Sequence, residues 1–386
     1  MKKLVIVLFV ALLPAAYSYA QEKISIEIQP YLQNLSETEV TVVWKSNLES
    51  VGWVEIAPHD GNHFYYEERP KFFDADNGIK NVSKLHRVRV EGLKPGVVYD
   101  YRVFSRHVTG REKNRVYYGN VASTKVYRHA PLSFKTPSSD ITSVNFAMVN
   151  DVHGNAKRME ALLSAANLKN MDLVLFNGDM VSIFDSEQTV FSGFMNAATK
   201  LFASEKPMYY TRGNHETRGA MAPDFKKYFS PCSDAIYYAF RWGDTCFVVL
   251  DTGEDKPDSD IEYYDINLYD RYRESQAKWL EDVLKSEMYL KARHRVVVAH
   301  VPPFGGWHGN KEVEEKFMPL LRNAPPDVML CGHMHKYVKK EKDDVTPFPI
   351  IVNSNKTVLV CSVSPSSFKI DVLNEKGEVK DTFAVK

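Results

Sequence analysis

The chain has no surplus of either charge: 49 lysines and arginines stand against 49 aspartates and glutamates in 386 residues. That balance excludes the basic footprint of a nucleic-acid binder and the polybasic patch of a peripheral membrane protein. Cysteine is scarce: Cys232, Cys246, Cys331 and Cys361 are the only ones. None forms a C-x-x-C unit, so no zinc knuckle is indicated. Cys246 and Cys331 fall inside apolar runs, which favours buried thiols over a Cys232–Cys246 bridge. Fixed-period repeats and low-complexity tracts are missing. Long apolar runs are missing as well, with one exception at the start.

That exception has the parts of an export signal. A basic "MKK" leads into "LVIVLFVALL", and "SYA" supplies small residues at a cleavage position. Residues 1–20 are read as a signal peptide cut after Ala20. The run is short for a bilayer span and no other segment reaches that length, so stable membrane insertion is not expected. No cysteine follows the cut to carry a lipid. The expected location is periplasmic or extracellular.

What remains is too long for most single cores, and two domains are the natural reading. Over residues 24–136 the pattern is all strand. "ISIEIQPYL", "EVTVVWKS", "VGWVEIA", "LHRVRVEGL" and "VYDYRVFSR" alternate apolar and polar residues between turns rich in Asn, Gly, Pro and Asp. Short strands at regular intervals predict a β-sandwich. "HRVRVEGLKPGVVYDYRVFS" resembles the fibronectin type III pattern, with a Pro-Gly turn joining two strands. "TPSSD" reads as a linker. Residues 141–386 then alternate buried strands with helical spacing and finish in further strands. This predicts an α/β domain with two packed central sheets flanked by helices.

The chemistry sits where the strands end. "NDVHGN" places Asp151 and His153 after one strand, and "NGDM" places Asp179 after the next. "RGNHE" supplies Asn214, His215 and Glu216; "VVVAHVPP" supplies His300; "LCGHMH" supplies His333 and His335. Ligand sites in open α/β sheets form at the carboxyl ends of strands. Carboxylate, imidazole and amide oxygen suit iron, manganese or zinc, and the lack of thiolates argues against a structural zinc site. The donors are too many for one tetrahedral ion and about enough for two, with Asp179 able to bridge them. Two cations roughly 3.5–4 Å apart clamp an in-line displacement at phosphorus and activate a water as nucleophile. His215 is free to face the substrate, bind the phosphoryl group and protonate the leaving alkoxide. Glu216 is its expected orienting partner.

In order and spacing, "DVH", "GD", "GNHE", the lone His after an apolar strand and "GHMH" resemble the blocks of the calcineurin-like metallophosphoesterases. The resemblance covers about Val144 to His335. The preceding sandwich resembles purple acid phosphatase architecture. The resemblance implies that Asp151, His153, Asp179 and His335 hold a first metal and that Asp179, Asn214, His300 and His333 hold a second. It implies His215 as the proton donor, with Asn214 and His215 touching substrate. Two departures separate the chain from purple acid phosphatases. His153 stands where that subgroup has glycine, and Ser182 stands where it has a tyrosine ligand. No tyrosinate–iron colour is therefore expected.

The expectation is an exported dinuclear metallophosphoesterase acting on a small-molecule phosphate monoester. The alternatives are a phosphodiesterase or nucleotide hydrolase at the same metals, or a non-enzymatic binding protein that uses its sandwich. The remaining histidines, His59, His63, His86, His107, His129 and His294, read as ordinary surface residues. Trp307 and His308 in "PPFGGWHGN" are as suited to a substrate wall as to plain surface. Arg218 could meet a phosphate but reads more readily as solvated, and the acidic "DTGEDKPDSDIEYYD" reads as a solvated loop rather than a calcium site because EF-hand spacing is absent.

Overall fold

The computed structural model describes residues 22–229, 233, 235–263 and 265–385. The expected signal peptide and Cys232 lie outside them. Cys246, Cys331 and Cys361 are buried free thiols. No helix of the described residues is long and apolar enough to cross a membrane.

The first part is a seven-stranded antiparallel sheet. Its spine is Glu39–Pro58, which covers two of the strands expected from sequence. Residues 41–46 pair with Ile26–Gln33, residues 39–45 and 50–51 pair with Val82–Glu91, and residues 50–58 pair with Val98–Glu112. A register shift between Lys45 and Ser50 separates the two halves. One irregular strand thus serves both halves of the sheet, as a bulge allows. Trp44 is fully buried and donates from its indole to Ser105. His86 is not a surface residue. It is fully buried against Trp44, with Ser50 Oγ 2.8 Å from Nε2.

The second part has two six-stranded sheets. In one, Val144–Val149, Leu173–Asn177 and Met208–Thr211 run parallel, and antiparallel strands from residues 357–385 complete it. In the other, Thr245–Leu250, His294–Ala299, Val328–Cys331 and Ile350–Val352 are parallel. A hairpin through Gly243-Asp244 joins Tyr238–Trp242 to this sheet.

Strand alternation explains the layering. Phe146, Met148, Leu173 and Leu175 from one sheet share a core with Phe247, Val249, Val296 and Val298 from the other. The rings of Phe146 and Phe247 meet edge to face at 5.2 Å. The intervening residues face outward. Ala147, Val149 and Phe176 pack under the helix Ala156–Ala165 and the helical segment 187–203. Cys246, Val248 and Leu250 pack under the helix Tyr269–Lys285 and its neighbours. Both faces of each sheet are therefore covered where the strands run parallel, as their continuous apolar runs require.

Candidate metal centre

The carboxyl ends of parallel strands from both sheets meet at one edge. Asn177 donates from its amide to the carbonyls of Ala299 (3.2 Å) and Leu330 (3.4 Å), stitching the sheets together there. Asn150 and Asn353 exchange two further bonds across the same edge. The loops that leave these strands turn sharply. Asp151, His153, Asp179, His333 and His335 all have positive φ, between 50° and 71°. A left-handed side-chain residue costs on the order of 1 kcal/mol, and such strain collects where function over-determines the backbone. The neighbouring glycines leave no room for a side chain. A Cβ on Gly178 would lie 2.3 Å from His300 Nδ1, and one on Gly213 would lie 2.3 Å from Asp179 Oδ1.

These turns bring together every residue singled out as a ligand. Donor atoms of Asp151, His153, Asp179 and His335 lie within 4.8 Å of one another, and so do those of Asp179, His300 and His333. Asp179 belongs to both groups. His300 donates from Nδ1 to the Asn177 carbonyl at 2.7 Å, which turns Nε2 toward Asp179 Oδ2 at 3.1 Å. His335 Nε2 lies 3.2 Å from Asp151 Oδ1 and 3.0 Å from His153 Nε2. Asn214 faces His333 Nδ1 with its amide oxygen at 3.1 Å.

The polar atoms fit a pair of cations better than they fit one another. Asp151 Oδ1 is buried without a hydrogen-bond partner. Asn214 Oδ1 faces only acceptors, while its amide nitrogen faces the Arg218 guanidinium. Reversing the amide would satisfy both ends of a cation-free pocket; oxygen inward is the orientation a cation requires. Buried polar groups left in this state are costly unless something completes them.

Charges tell the same story. Burial, helped by His300, pushes His333 down to about 4, so its ring stays neutral. Burial also lowers His153. Burial opposes the imidazolium at His300, but the Asp179 carboxylate, with help from Asp151, raises it to about 10. Burial likewise opposes ionisation of Asp179, and His300 outweighs it, leaving the carboxylate below its usual range. The neighbouring Asp151 carboxylate raises His335. A cation between these groups would take the place of such protons.

His215 sits at the rim. Its backbone N–H donates to Asp179 Oδ1 at 2.9 Å, its Nδ1 meets the Ser182 carbonyl at 2.7 Å, and its Nε2 is 3.9 Å from Asp179 Oδ2. Glu216 does not orient the ring. It is fully buried and accepts bonds from the backbone N–H groups of Asp179, Val181 and Gly213 and from Tyr210 Oη. It braces the turn instead, and the Ser182 carbonyl does the orienting. Ser182 Oγ is 3.5 Å from His153 Nδ1.

Two further expectations are corrected. Arg218 is not solvated: its guanidinium forks onto Glu254 at 2.8 and 2.9 Å and reaches Asp255 at 3.2 Å. The acidic loop is not solvated at its start, where Glu254 and Asp255 are buried. Neither residue carried a periodicity or spacing signal. Trp307 is more than half exposed, and His308 bonds to Asp270 at 2.7 Å. Asp270, His308 and Glu312 form a third donor group. It already holds the chain's own cations, with Arg273 2.8 Å from Asp270 and Lys316 3.0 Å from Glu312.

Two sheets thus carry clustered metal-type donors at a shared strand edge, and comparison with known proteins places that arrangement in a family. The sequence profile of the calcineurin-like phosphoesterases matches residues 144–337, and the chain belongs to that family of phosphate-ester hydrolases. It is 27% identical over 297 residues to purple acid phosphatase 22 of Arabidopsis thaliana, covering 70% of this chain and 63% of that one. It is 26% identical over 297 residues to purple acid phosphatase 21 of the same plant, covering 70% and 59%. The matches thus span less than two thirds of these relatives' lengths. A purple acid phosphatase from yellow lupin (Lupinus luteus) seeds shares the fold with a TM-score of 0.66. That match has 14% identity and covers 92% of this chain and 73% of the lupin chain.

Proposed function

We propose that the protein is an exported dinuclear metal-dependent phosphomonoesterase. One observation carries the reading: two donor groups converge on a single shared carboxylate, Asp179. Asp151, His153, Asp179 and His335 would hold one cation, and Asp179, Asn214, His300 and His333 the other. The donor set suits iron, manganese or zinc. When bound, the pair supplies positive charge to phosphoryl oxygens and acidifies water.

The chain's own residues supply the rest. Nδ1 of His215 donates to the Ser182 carbonyl, which leaves Nε2 directed at the Asp179 side of the site. Nε2 is therefore the atom that carries the proton to the departing alkoxide. The Asp179 carboxylate fixes the backbone of the same residue, so proton donor and shared ligand keep a constant separation. Asn214 and His215 border the phosphoryl position. Arg218 is committed to Glu254 and Asp255, so it is not the phosphate clamp.

The domain reading supports this assignment. Residues 1–20 act as the export signal, residues 24–136 as a fibronectin type III-like domain, and residues 141–386 as the catalytic domain. The balanced charge supports a small phosphate ester rather than a polyanion as substrate.

Hydrolysis of an aryl phosphate with added manganese, zinc or iron tests the reading, with a matched diester beside it. Asp179→Asn should lower kcat/KM by at least ~10³-fold, roughly 4 kcal/mol of transition-state stabilisation. Activity that survives this change or a chelator sinks the proposal, and a strong preference for the diester moves it to phosphodiesterase.

A further inference from the structure

The acidic loop that follows Thr245–Leu250 enters the metal centre from behind. Asp255 Oδ2 lies 3.7 Å from His333 Nε2, on the side of the ring opposite the Nδ1 that meets Asn214. Both side chains are nearly buried, at 9% and 11% exposure. Asp255 is held from several directions. Arg218 Nη2 binds its Oδ1 at 3.2 Å, its backbone N–H donates to Glu254 Oε1 at 2.8 Å, and its carbonyl accepts from Gly309 N–H at 2.9 Å. A Cβ on Gly309 would come within 2.8 Å of the Asp255 Cα, so the loop is seated closely there. Arg218 also stands 3.0 Å from the outer end of the Asn214 amide. A polar ring therefore runs Asn214, Arg218, Asp255, His333 and back to Asn214.

We propose that Asp255 is a positioning residue for the second cation, acting through His333; the proposal rests on the dinuclear reading above. An imidazole that offers Nδ1 to a cation must carry its proton on Nε2. A carboxylate facing Nε2 selects that tautomer, fixes the ring plane and increases the basicity of Nδ1. At 3.7 Å the carboxyl oxygen approaches the neutral ring more loosely than a hydrogen bond. Charge drawn from Nδ1 by a cation makes Nε2–H a stronger donor and tightens it. Asp255 is not part of the donor set itself, since it meets only the far nitrogen of His333.

Titration of the chelator-stripped, full-length protein with Mn²⁺ in a calorimeter tests this without any substrate. The wild type should take up two cations. Asp255→Asn keeps an oxygen for Arg218 but replaces the carboxyl group facing His333 with a neutral amide. It should weaken one cation by about 10–100-fold and leave the other unchanged. Asp255→Glu should recover part of the loss. Glu262→Gln removes a charge from the same loop at its pair with Lys256, away from His333, and should leave both affinities as they were. Melting temperatures of the stripped variants report any general damage to the loop.

The proposal is overturned if Asp255→Asn binds both cations as tightly as the wild type or weakens both equally. Equal weakening of the same cation by Glu262→Gln overturns it too. A wild type that binds fewer than two cations removes this proposal and the dinuclear reading together. Two bound cations without phosphate-ester hydrolysis remove only the proposed function.

Discussion

At the scale of single residues, the centre is a set of imidazoles poised differently by their neighbours. His333 is held neutral by burial, whereas His300 is held protonated by Asp179 when no cation is present. A histidine whose folded pKa is raised contributes stability that is complete below its unfolded value of 6.5. That stability is lost as pH rises through about 10. The chelator-stripped protein should therefore lose melting temperature across this window. Cation binding near neutral pH should release the His300 proton, visible as buffer-dependent binding heat. A flat stability profile over the same range contradicts this. His215 makes a separate prediction. His215→Ala should cost about 10²–10⁴-fold in kcat with an alkyl phosphate and much less with a nitrophenyl phosphate, whose leaving group needs no proton. Cation binding should be unchanged.

At the scale of elements, strands deliver the ligands and glycines allow the turns. Gly178 has a φ of 78° and no space for a Cβ beside His300. Gly178→Ala should break the bond from His300 to the Asn177 carbonyl and destabilise the fold by about 1–3 kcal/mol in urea titrations, with loss of cation affinity. A variant that binds cations as the wild type does would show that the turn tolerates more than its geometry suggests. This level was the most legible in the sequence. Apolar runs ending in Asp, His or Asn announced both the strands and the convergence of Asp151, Asp179 and His300, because a buried polar residue after a buried strand needs a reason. Partners of partners were not legible. Glu216, Glu254 and Asp255 sit in polar loops where burial comes only from tertiary contact, so composition read them as orienting or solvated. His86 failed for the same reason: Gly52 and Trp44 bury it from across the sheet, and nothing local to His86 records that. The continuous strand Glu39–Pro58 was split because its irregular middle carries turn-like residues.

At the scale of the whole molecule, the N-terminal sheet is fastened to the two-sheet part by tyrosine hydroxyls. Tyr31 donates to the Tyr228 carbonyl at 2.9 Å, Tyr101 to Ser204 at 2.6 Å, and Tyr209 to Leu35 at 3.0 Å. Lys45 reaches across to Glu187 at 2.9 Å. Buried bonds of this kind couple the two parts, so calorimetry should show one transition. Tyr101→Phe leaves the Ser204 carbonyl unpaired and should lower stability by about 1–3 kcal/mol. Two separate transitions would mean that the parts fold independently. The central claim concerns what the joined strand ends hold. Anomalous diffraction at the manganese edge, from crystals grown with Mn²⁺, tests it most directly. The account predicts two peaks flanking Asp179, one beside Asp151, His153 and His335 and the other beside Asn214, His300 and His333. A single peak, or density at Asp270 and His308 instead, would contradict it.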